Sequence, residues 1–315
     1  MTNPVPLPPA EASDLCTVIG RRLADTIREH ANWQQGNTGG RRADFTGVTL
    51  NDVDLTNVNL RQAMFASATL IDANLSGADL SGAHMAGCDL ERAILSGANL
   101  TGCDLLEAKL SFAFLTAANL GEAKLHRVSL RQAQMQRTRM LDASIQDADC
   151  RGADCTEAAF HQAKLHDCDF SDANLENAVF FHAKVHLCKF RGVRGNTINF
   201  NAATLDGCDF TAADFSCSNF QRVVCQRSNF HGTDLGGCDF RDAQLRGTDL
   251  SRARLCRARF GGVTLFCADL RGADLKGARE MTSDQLMQAL TDDRTILPNG
   301  SRGPYIRYSR AERSA

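Results

Sequence analysis

The sequence predicts an all-β protein in which most of the chain winds into one solenoid. Every fifth residue from position 45 to position 275 is Leu or Phe, with few exceptions. The series has 47 positions in the 315-residue chain, and a small residue lies two places before each. A period of five matches neither the period of an α-helix, about 3.6 residues, nor the two-residue period of a β-strand. A fixed repeat whose single unit cannot bury its own apolar side chains indicates a repeat architecture.

The unit has a recognisable order of residue types. It runs Ala, Cys or Val, then Asp or Asn, then Leu or Phe, then Ser, Thr or Arg, as in Ala73-Asn74-Leu75 and Ala273-Asp274-Leu275. This pattern resembles the pentapeptide-repeat family. The resemblance implies a right-handed quadrilateral β-helix with four units, or twenty residues, in each coil.

We predict five segments along the chain. Apolar residues at steps of four (Leu15, Ile19, Leu23, Ile27 and Ala31) indicate an N-terminal helix that caps the solenoid, with docking to a partner or to itself as the alternative. The sequence Thr282-Ser-Asp-Gln285 matches a helix capping box at the other end. The segments are a disordered proline-rich stretch at 1–10, the N-terminal capping helix and linker at 11–42, the pentapeptide-repeat solenoid at 43–278, a C-terminal capping helix and strand at 279–300, and a flexible tail at 301–315.

Residues twenty apart are expected to stack in columns that cross the coils. One column is an unbroken ladder of inward phenylalanines: Phe160, Phe180, Phe200, Phe220, Phe240 and Phe260. A second ladder, on the opposite wall, contains Phe170, Phe190, Phe210 and Phe230. Gly195 is the one inward position of the series that lacks a side chain, so either its neighbours fill the space or the coil is kinked there.

Composition narrows the class of protein. No apolar run reaches about 18 residues, so we expect no membrane span, and the N-terminus lacks the pattern of a secretory signal. Most of the 13 cysteines occupy inward positions of the repeat, where a thiol acts as a small apolar side chain. We therefore expect a cytoplasmic protein with reduced cysteines.

The sequence shows no catalytic, cofactor-binding or metal-binding motif, and we expect a protein that is not an enzyme. The sharpest candidate for a metal site is one outward column that contains His166, His186 and Asp206. Side chains in a flat column diverge little, whereas tetrahedral ligation needs groups that converge. We therefore interpret these histidines as solvated surface residues and predict no metal and no cofactor.

Charge differs between the two parts of the repeat. Residues 43–122 contain ten acidic and three basic side chains, and residues 123–278 contain 18 acidic and 21 basic ones. Two basic clusters stand in the second part: Lys124, Arg127, Arg131, Arg137 and Arg139, then Arg252, Arg254, Arg257 and Arg259. Few aromatic residues accompany them, so we do not expect a nucleic acid partner.

Outward apolar residues are the best candidates for contact with a partner, since clusters of this kind mark interaction surfaces. The first predicted docking group contains Ile94, Leu106, Phe112 and Phe114, and the second contains Val179, Phe181 and Leu187. The alternative is isolated apolar residues scattered on the surface without a role.

These observations favour a non-enzymatic scaffold that presents a rigid surface to another protein, whose identity the sequence leaves open. The family resemblance implies an alternative, since some members mimic DNA, bind type II topoisomerases such as gyrase and protect them from inhibitors. Those members are acidic along a face and dimerise through a C-terminal helix, which makes a homodimer through a terminal helix possible here. A secreted bacterial effector or adaptor is a further alternative.

Overall fold

The computed structural model describes residues 9–313, and side chains from residue 20 onwards except that of residue 21. Helix α1 spans Pro9–Gln34 and helix α2 spans Ser283–Gln288. Between them lie five three-residue strands: β1 (Lys124–His126), β2 (Ser144–Gln146), β3 (Lys164–His166), β4 (Lys184–His186) and β5 (Thr204–Asp206). Neither helix, as far as it is described, is long and apolar enough to cross a membrane.

Parallel pairing between residues twenty apart builds the solenoid. The pairs begin with Asp44 and Met64, and the same spacing continues to the pair of Arg259 and Arg279. Strands β1 to β5 are the places where this pairing extends over three residues, and they form one parallel sheet in chain order. The predicted all-β solenoid with twenty residues in each coil is therefore confirmed.

A short turn of the backbone forms each corner between two faces of the solenoid. The residue before the large inward side chain is often Asp or Asn, and its side-chain oxygen accepts a hydrogen bond from the backbone N–H two residues later. Asn74 accepts in this way from Ser76 at 3.1 Å, and Asp44 accepts from Thr46 at 2.9 Å. Asp and Asn favour such turns because their side chains are short enough to reach the local backbone. Many acids of the repeat therefore serve its corners.

The two phenylalanine ladders run through the core as predicted. In the first ladder, successive rings from Phe160 to Phe260 stack with centroids 4.5–5.6 Å apart. The second ladder stacks at 4.5–5.3 Å, and rings of the two ladders meet edge to face, as Phe160 and Phe170 do at 6.0 Å. All ten rings are buried, so both ladders are packing features.

The space beside Gly195 is filled by its neighbours. A Cβ placed on Gly195 would lie 2.4 Å from Cδ1 of Ile198 and 3.3 Å from Cβ of Leu175. Pairing continues through this coil, where Arg194 bridges both Asn174 and Asp214. The coil is therefore regular, because the larger Ile198 occupies the volume that a leucine at position 195 would take.

Helix α1 covers the first coil with the predicted face at Leu23 and Ile27 and departs from it at the last predicted position, Ala31. Leu23 and Ile27 pack against the core and His30 is fully buried, whereas Ala31 is exposed. The helix has about 3.6 residues per turn, so constant steps of four drift off a face, and the buried stripe continues at His30. The side chains of Leu15 and Ile19 lie outside the described part. Residues 1–8 of the predicted disordered segment also lie outside it, and Pro9 and Ala10 belong to α1.

The C-terminal cap has the predicted capping box. Gln285 N–H donates to Oγ1 of Thr282 at 3.2 Å, and Thr282 N–H donates to Oε1 of Gln285 at 2.7 Å. The amide of Gln285 also donates to the carbonyl of Phe260 at 2.8 Å, which ties α2 to the last coils. Leu290 and Ile296 then pair with Asp269 and Asp274 and complete the end of the rod.

The segment after residue 300, expected to be a flexible tail, folds back on the cap as far as residue 313. Arg302 pairs with Ile296 in antiparallel fashion, and Asn299 N–H donates to the carbonyl of Ala311 at 3.2 Å. Ala311 is buried and Tyr305 packs against the core. The polar composition of this segment suggested a loose tail, but these few apolar groups anchor it.

We expect the substitution Phe200→Ala to lower the free energy of unfolding by about 3–5 kcal/mol, because it leaves a cavity between four aromatic rings. Phe200 stacks on Phe180 and Phe220 and meets Phe210 and Phe215 edge to face. Chemical denaturation followed by far-UV circular dichroism measures the loss.

The matched control is Phe266→Ala, which deletes the same side chain from the surface, where it is 47% exposed. Phe266 contacts Arg246 through a cation–π interaction with 5.0 Å to the ring centroid, so the control should cost less than about 1 kcal/mol. Equal losses in the two variants would contradict the role of the ladder.

Candidate protein-docking surfaces

Three of the five residues in each unit point outward, and they differ in their surroundings. One lies at the centre of a face and pairs with the neighbouring coils, and the other two form the corner. The second corner residue has a left-handed backbone conformation with φ between 52° and 62° wherever it is not glycine in the repeat. Face-centre and corner positions therefore offer different amounts of exposed side chain.

Ile94, Phe112 and Phe114, which we name the Phe112 patch, are exposed apolar residues of two adjacent coils. Ile94 and Phe114 are paired face-centre residues of adjacent coils. Phe112 stands on the corner that precedes Phe114. The three side chains are 38%, 46% and 45% exposed. The structure thus brings together three of the four residues of the first predicted group.

Leu106 does not belong to this patch. It lies on the preceding corner, with the face that contains Ala108, Lys109 and Leu110 between it and Phe112, and it is half-buried. A separation of six residues always crosses a whole face, because corners recur every five residues. The sequence grouped Leu106 with Phe112 by linear proximity, and the square section separates them.

The second predicted group is divided between two corners. Phe181 and Leu187 stand on the opposite edges of the face that carries β4, and Val179 lies half-buried on the adjoining face. The Phe181 ring contacts the rings of His161 and His182, with centroids 6.2 and 4.2 Å away. Leu187 borders an open groove of about 760 Å³ with His186 and Arg227. These residues form two small contacts rather than one surface.

Backbone conformation adds a second observation. Phe112 has φ of 62° and Leu187 has φ of 55°. Phe112 and Leu187 are the large apolar residues within 43–278 that occupy a left-handed corner position. The other units have glycine, polar or small residues at this position. Every corner holds its second residue in this conformation, which directs the side chains of Phe112 and Leu187 outward and leaves about half of each exposed.

Sequence reasoning missed a third apolar surface at the C-terminal end. Phe266, Met287 and Leu290, which we name the C-terminal patch, are 47%, 52% and 52% exposed. Cys267 N–H donates to the carbonyl of Gln288, and Leu290 pairs with Asp269, so the three residues lie on adjoining segments. Within helix α2, Gln285 and Leu286 are the buried residues, whereas Met287 is exposed. The outward position of Phe266 within its repeat unit was the sequence feature that could have indicated this surface.

Ion pairs between coils neutralise much of the acidic half. Arg92 forms two bonds to Asp72 at 2.7 and 2.8 Å, and its guanidinium lowers the pKa of that carboxyl. Asp89 pairs with Lys109 at 3.2 Å and Glu107 pairs with Arg127 at 2.6 Å. The net charge of residues 43–122 is therefore not a continuous stripe of free carboxylates.

The basic clusters of the linear sequence likewise do not form continuous basic surfaces on the rod. Lys124 and Arg139 lie at the centres of adjacent faces, and the arginines between them occupy successive corners, so the first cluster extends around most of one coil. Arg137 pairs with Glu157 at 2.8 Å and Arg131 lies 3.7 Å from Asp149. Linear clusters spread around the circumference because one coil takes twenty residues.

The histidine column shows the divergence expected of a flat surface. The rings of His166 and His186 lie 6.5 Å apart, Nδ1 of His166 contacts Asp167 at 2.8 Å, and Asp206 accepts from Arg227 at 2.7 Å. Within the described part of the chain, no group of three His, Cys, Asp or Glu side chains is placed to share a metal ion.

Nine of the described cysteines are buried in the repeat, and six of these donate to backbone carbonyls. Sγ of Cys88 lies 2.7 Å from the carbonyl oxygen of Phe65, and Sγ of Cys103 lies 2.9 Å from that of Leu80. Burial raises the pKa of both thiols to about 12. Cys217 and Cys267, in contrast, are exposed.

Comparison with known proteins agrees with this architecture. A family model described as pentapeptide repeats matches overlapping segments between residues 43 and 194 and between residues 198 and 279. The chain belongs to the pentapeptide-repeat family. No curated protein matches the chain.

Several solved structures are similar to this chain. HetL, a protein involved in heterocyst differentiation regulation from Nostoc sp. strain PCC 7120, is 25% identical, with 86% of this chain and 96% of HetL covered and a TM-score of 0.28. Rfr23 from Cyanothece 51142 is 23% identical over 36% of this chain and 89% of its own, with a TM-score of 0.33. QnrB1, a plasmid-mediated fluoroquinolone resistance protein, is 21% identical over 68% and 88%, with a TM-score of 0.29.

Thiol labelling should separate the cysteines by burial. With a polar maleimide at pH 7.5, we expect fast modification of Cys217 and Cys267, and modification of Cys88 and Cys103 only after unfolding, because the thiolate is the nucleophile. Peptide mass spectrometry locates the labels. Fast labelling of Cys88 in the folded protein would show that the coils open readily.

Proposed function

We propose that this protein is a non-enzymatic scaffold for protein–protein interaction and that the Phe112 patch anchors its partner. The observation that carries the proposal is Phe112 itself, a phenylalanine 46% exposed at a φ of 62°. Aromatic anchors on an exposed surface contribute much of the binding energy at protein interfaces. The partner that fits is a protein with a complementary apolar pocket.

A rigid rod suits this role because its contact residues are already in place. Phe112 N–H donates to the carbonyl of Arg131 and Phe114 N–H donates to the carbonyl of Ala93, both at 2.9 Å, so the following coil holds the first anchor and the preceding coil holds the second. A preorganised surface loses little conformational entropy on binding. Reduced buried thiols support a cytoplasmic location for the scaffold.

The C-terminal patch supports a second contact of the same scaffold, a homodimer through the α2 end. Met287 and Leu290 expose more than half of their surface beside Phe266. Methionine is flexible and adapts to a partner surface, which suits a contact between two copies. In this proposal the two patches act separately, because the Phe112 patch lies within the N-terminal part of the repeat and the C-terminal patch lies at its other end.

The alternative of a DNA mimic that protects gyrase is disfavoured by charge. The groove of such an enzyme is matched to closely spaced phosphates, so a mimic needs continuous negative potential. Here Arg92, Lys109 and Arg127 bind the acids of neighbouring coils. These cations would meet a basic groove with like charge.

The double substitution Phe112→Asp with Phe114→Asp tests the anchor. We expect the fold to be retained, since both side chains are outward and Asp tolerates the left-handed region better than Phe. Capture of protein partners from the native cell should fall at least tenfold for the variant, and quantitative mass spectrometry of the captured proteins measures this.

The matched control is Met287→Asp with Leu290→Asp, which places the same charges in the C-terminal patch. We expect it to capture the partner normally and to lose concentration-dependent self-association in analytical ultracentrifugation. Unchanged capture by the Phe112 and Phe114 variant removes the docking role of the Phe112 patch, and unchanged mass in the control removes the dimer.

Gyrase should not be rescued by this protein. In a supercoiling assay with a gyrase poison, we expect no restored supercoiling when the purified protein is stoichiometric with the enzyme, because of the paired charges described above. Restored supercoiling at that ratio would favour the DNA-mimic alternative over the scaffold.

A further inference from the structure

One buried histidine joins helix α1 to the first coil. Nδ1 of His30 accepts a hydrogen bond from the backbone N–H of Ala43 at 3.0 Å, and the His30 side chain is fully buried. Ala43 is the first small inward residue of the repeat. The imidazole also stacks on Trp33, with 5.4 Å between ring centroids and 21° between planes. The contact therefore stands where the solenoid begins.

The geometry fixes the protonation state that this contact needs. The Ala43 N–H is a donor, so Nδ1 must be unprotonated, and a neutral ring then carries its proton on Nε2. Nε2 of Gln34 lies 3.3 Å from Nε2 of His30, but with this tautomer both atoms carry protons, so Gln34 donates instead to the carbonyl of Arg61 at 2.7 Å. His30 and Gln34 together hold one helical turn of α1 to the edge of the first coil.

We propose that His30 is a proton-controlled latch, in which protonation of Nδ1 breaks the bond to Ala43 and releases the C-terminal half of α1 from the solenoid. The protonated ring would direct its N–H at the N–H of Ala43, so two donors would face each other. A buried charge without a compensating partner is strongly unfavourable. Release of α1 lets water reach the ring.

The surroundings of the ring favour its neutral form. Burial lowers the pKa of His30 below its ordinary value of 6.5, the carbonyl of Arg61 opposes this, and the positive charge of Arg42 lowers the pKa further. Arg42 is on the segment that leads into the first coil. The charged residues within two positions of the contact are Arg28 and Glu29 on α1 and Arg41, Arg42 and Asp44 on the coil, and Arg61 of the same coil faces the ring through its backbone carbonyl.

The sign of the pH effect follows from that lowered pKa. The latched state binds the proton more weakly than the released state, so acid favours release. The latch is fully effective above pH 6.5 and is lost as the pH falls through the pKa of the latched ring. Between the two pKa values, the ratio of released to latched protein should rise about tenfold per pH unit.

Release would uncover the apolar end of the rod. Leu23 and Ile27 cover the core here, and an opening of about 260 Å³ between α1 and the first coil is lined by Leu23, Phe45 and Val48. Phe45 is 4% exposed while α1 is in place. The latch therefore controls whether the first coil is accessible to solvent or to another protein.

Trp33 is the only tryptophan, so its fluorescence reports on this end of the rod. Between pH 7.5 and pH 5, we expect the emission of the full chain to shift to longer wavelength as α1 is released. His30→Asn, whose Oδ1 takes the place of Nδ1 as an acceptor and does not titrate, should show no shift. His84→Asn, which removes an exposed histidine, should shift like the unsubstituted protein.

An emission that is constant with pH, or a shift of equal size in His30→Asn, overturns the proposal. If His30→Asn releases α1 at every pH, the test is made on the unsubstituted protein, in which NMR measures the protonation of the histidine rings. The protonation midpoint of His30 must then coincide with the midpoint of the Trp33 emission. A ring that titrates without a change in emission is equally contrary to the latch.

Discussion

The hydrogen-bonded register between residues twenty apart is the constraint on which this structure depends. Because each coil repeats the one before it, a large inward side chain must occupy every fifth position, and a left-handed residue must occupy every corner. Stability comes from contacts between neighbouring coils, as in other solenoids, and the ends need separate protection. Helix α1 and the α2 segment provide that protection, with side chains that satisfy backbone groups of the terminal coils.

The same constraint determines how function is encoded on the surface. Face-centre and corner positions are free to vary, since neither contributes a side chain to the core. Nearby residues in the sequence turn to different sides of the rod, so charge clusters and apolar clusters of the linear sequence are dispersed. A functional surface instead forms along a column or across one corner. The Phe112 patch does both, since Ile94 and Phe114 share a column and Phe112 stands on the adjoining corner.

The two ends of the rod differ in how they are closed. At the C-terminal end, Gln285 binds two backbone carbonyls with an uncharged amide, so that contact is insensitive to pH. At the N-terminal end, His30 makes the corresponding contact with a group that can take up a proton. In the proposed latch, the N-terminal cap responds to pH because a histidine, and not an amide, makes this contact.

The sequence by itself determined the solenoid and the capping box, because these follow from strict spacing and from a local motif. The resemblance to the family supplied the twenty-residue coil, which defines the columns and the phenylalanine ladders. The sequence also marked Phe112 and Phe114 as outward. Only the tertiary structure separated Leu106 from Phe112, buried His30 instead of Ala31, and anchored the segment after residue 300 through Ala311. These features depend on which side of the rod a residue faces and on contacts between distant segments, and a linear period contains neither.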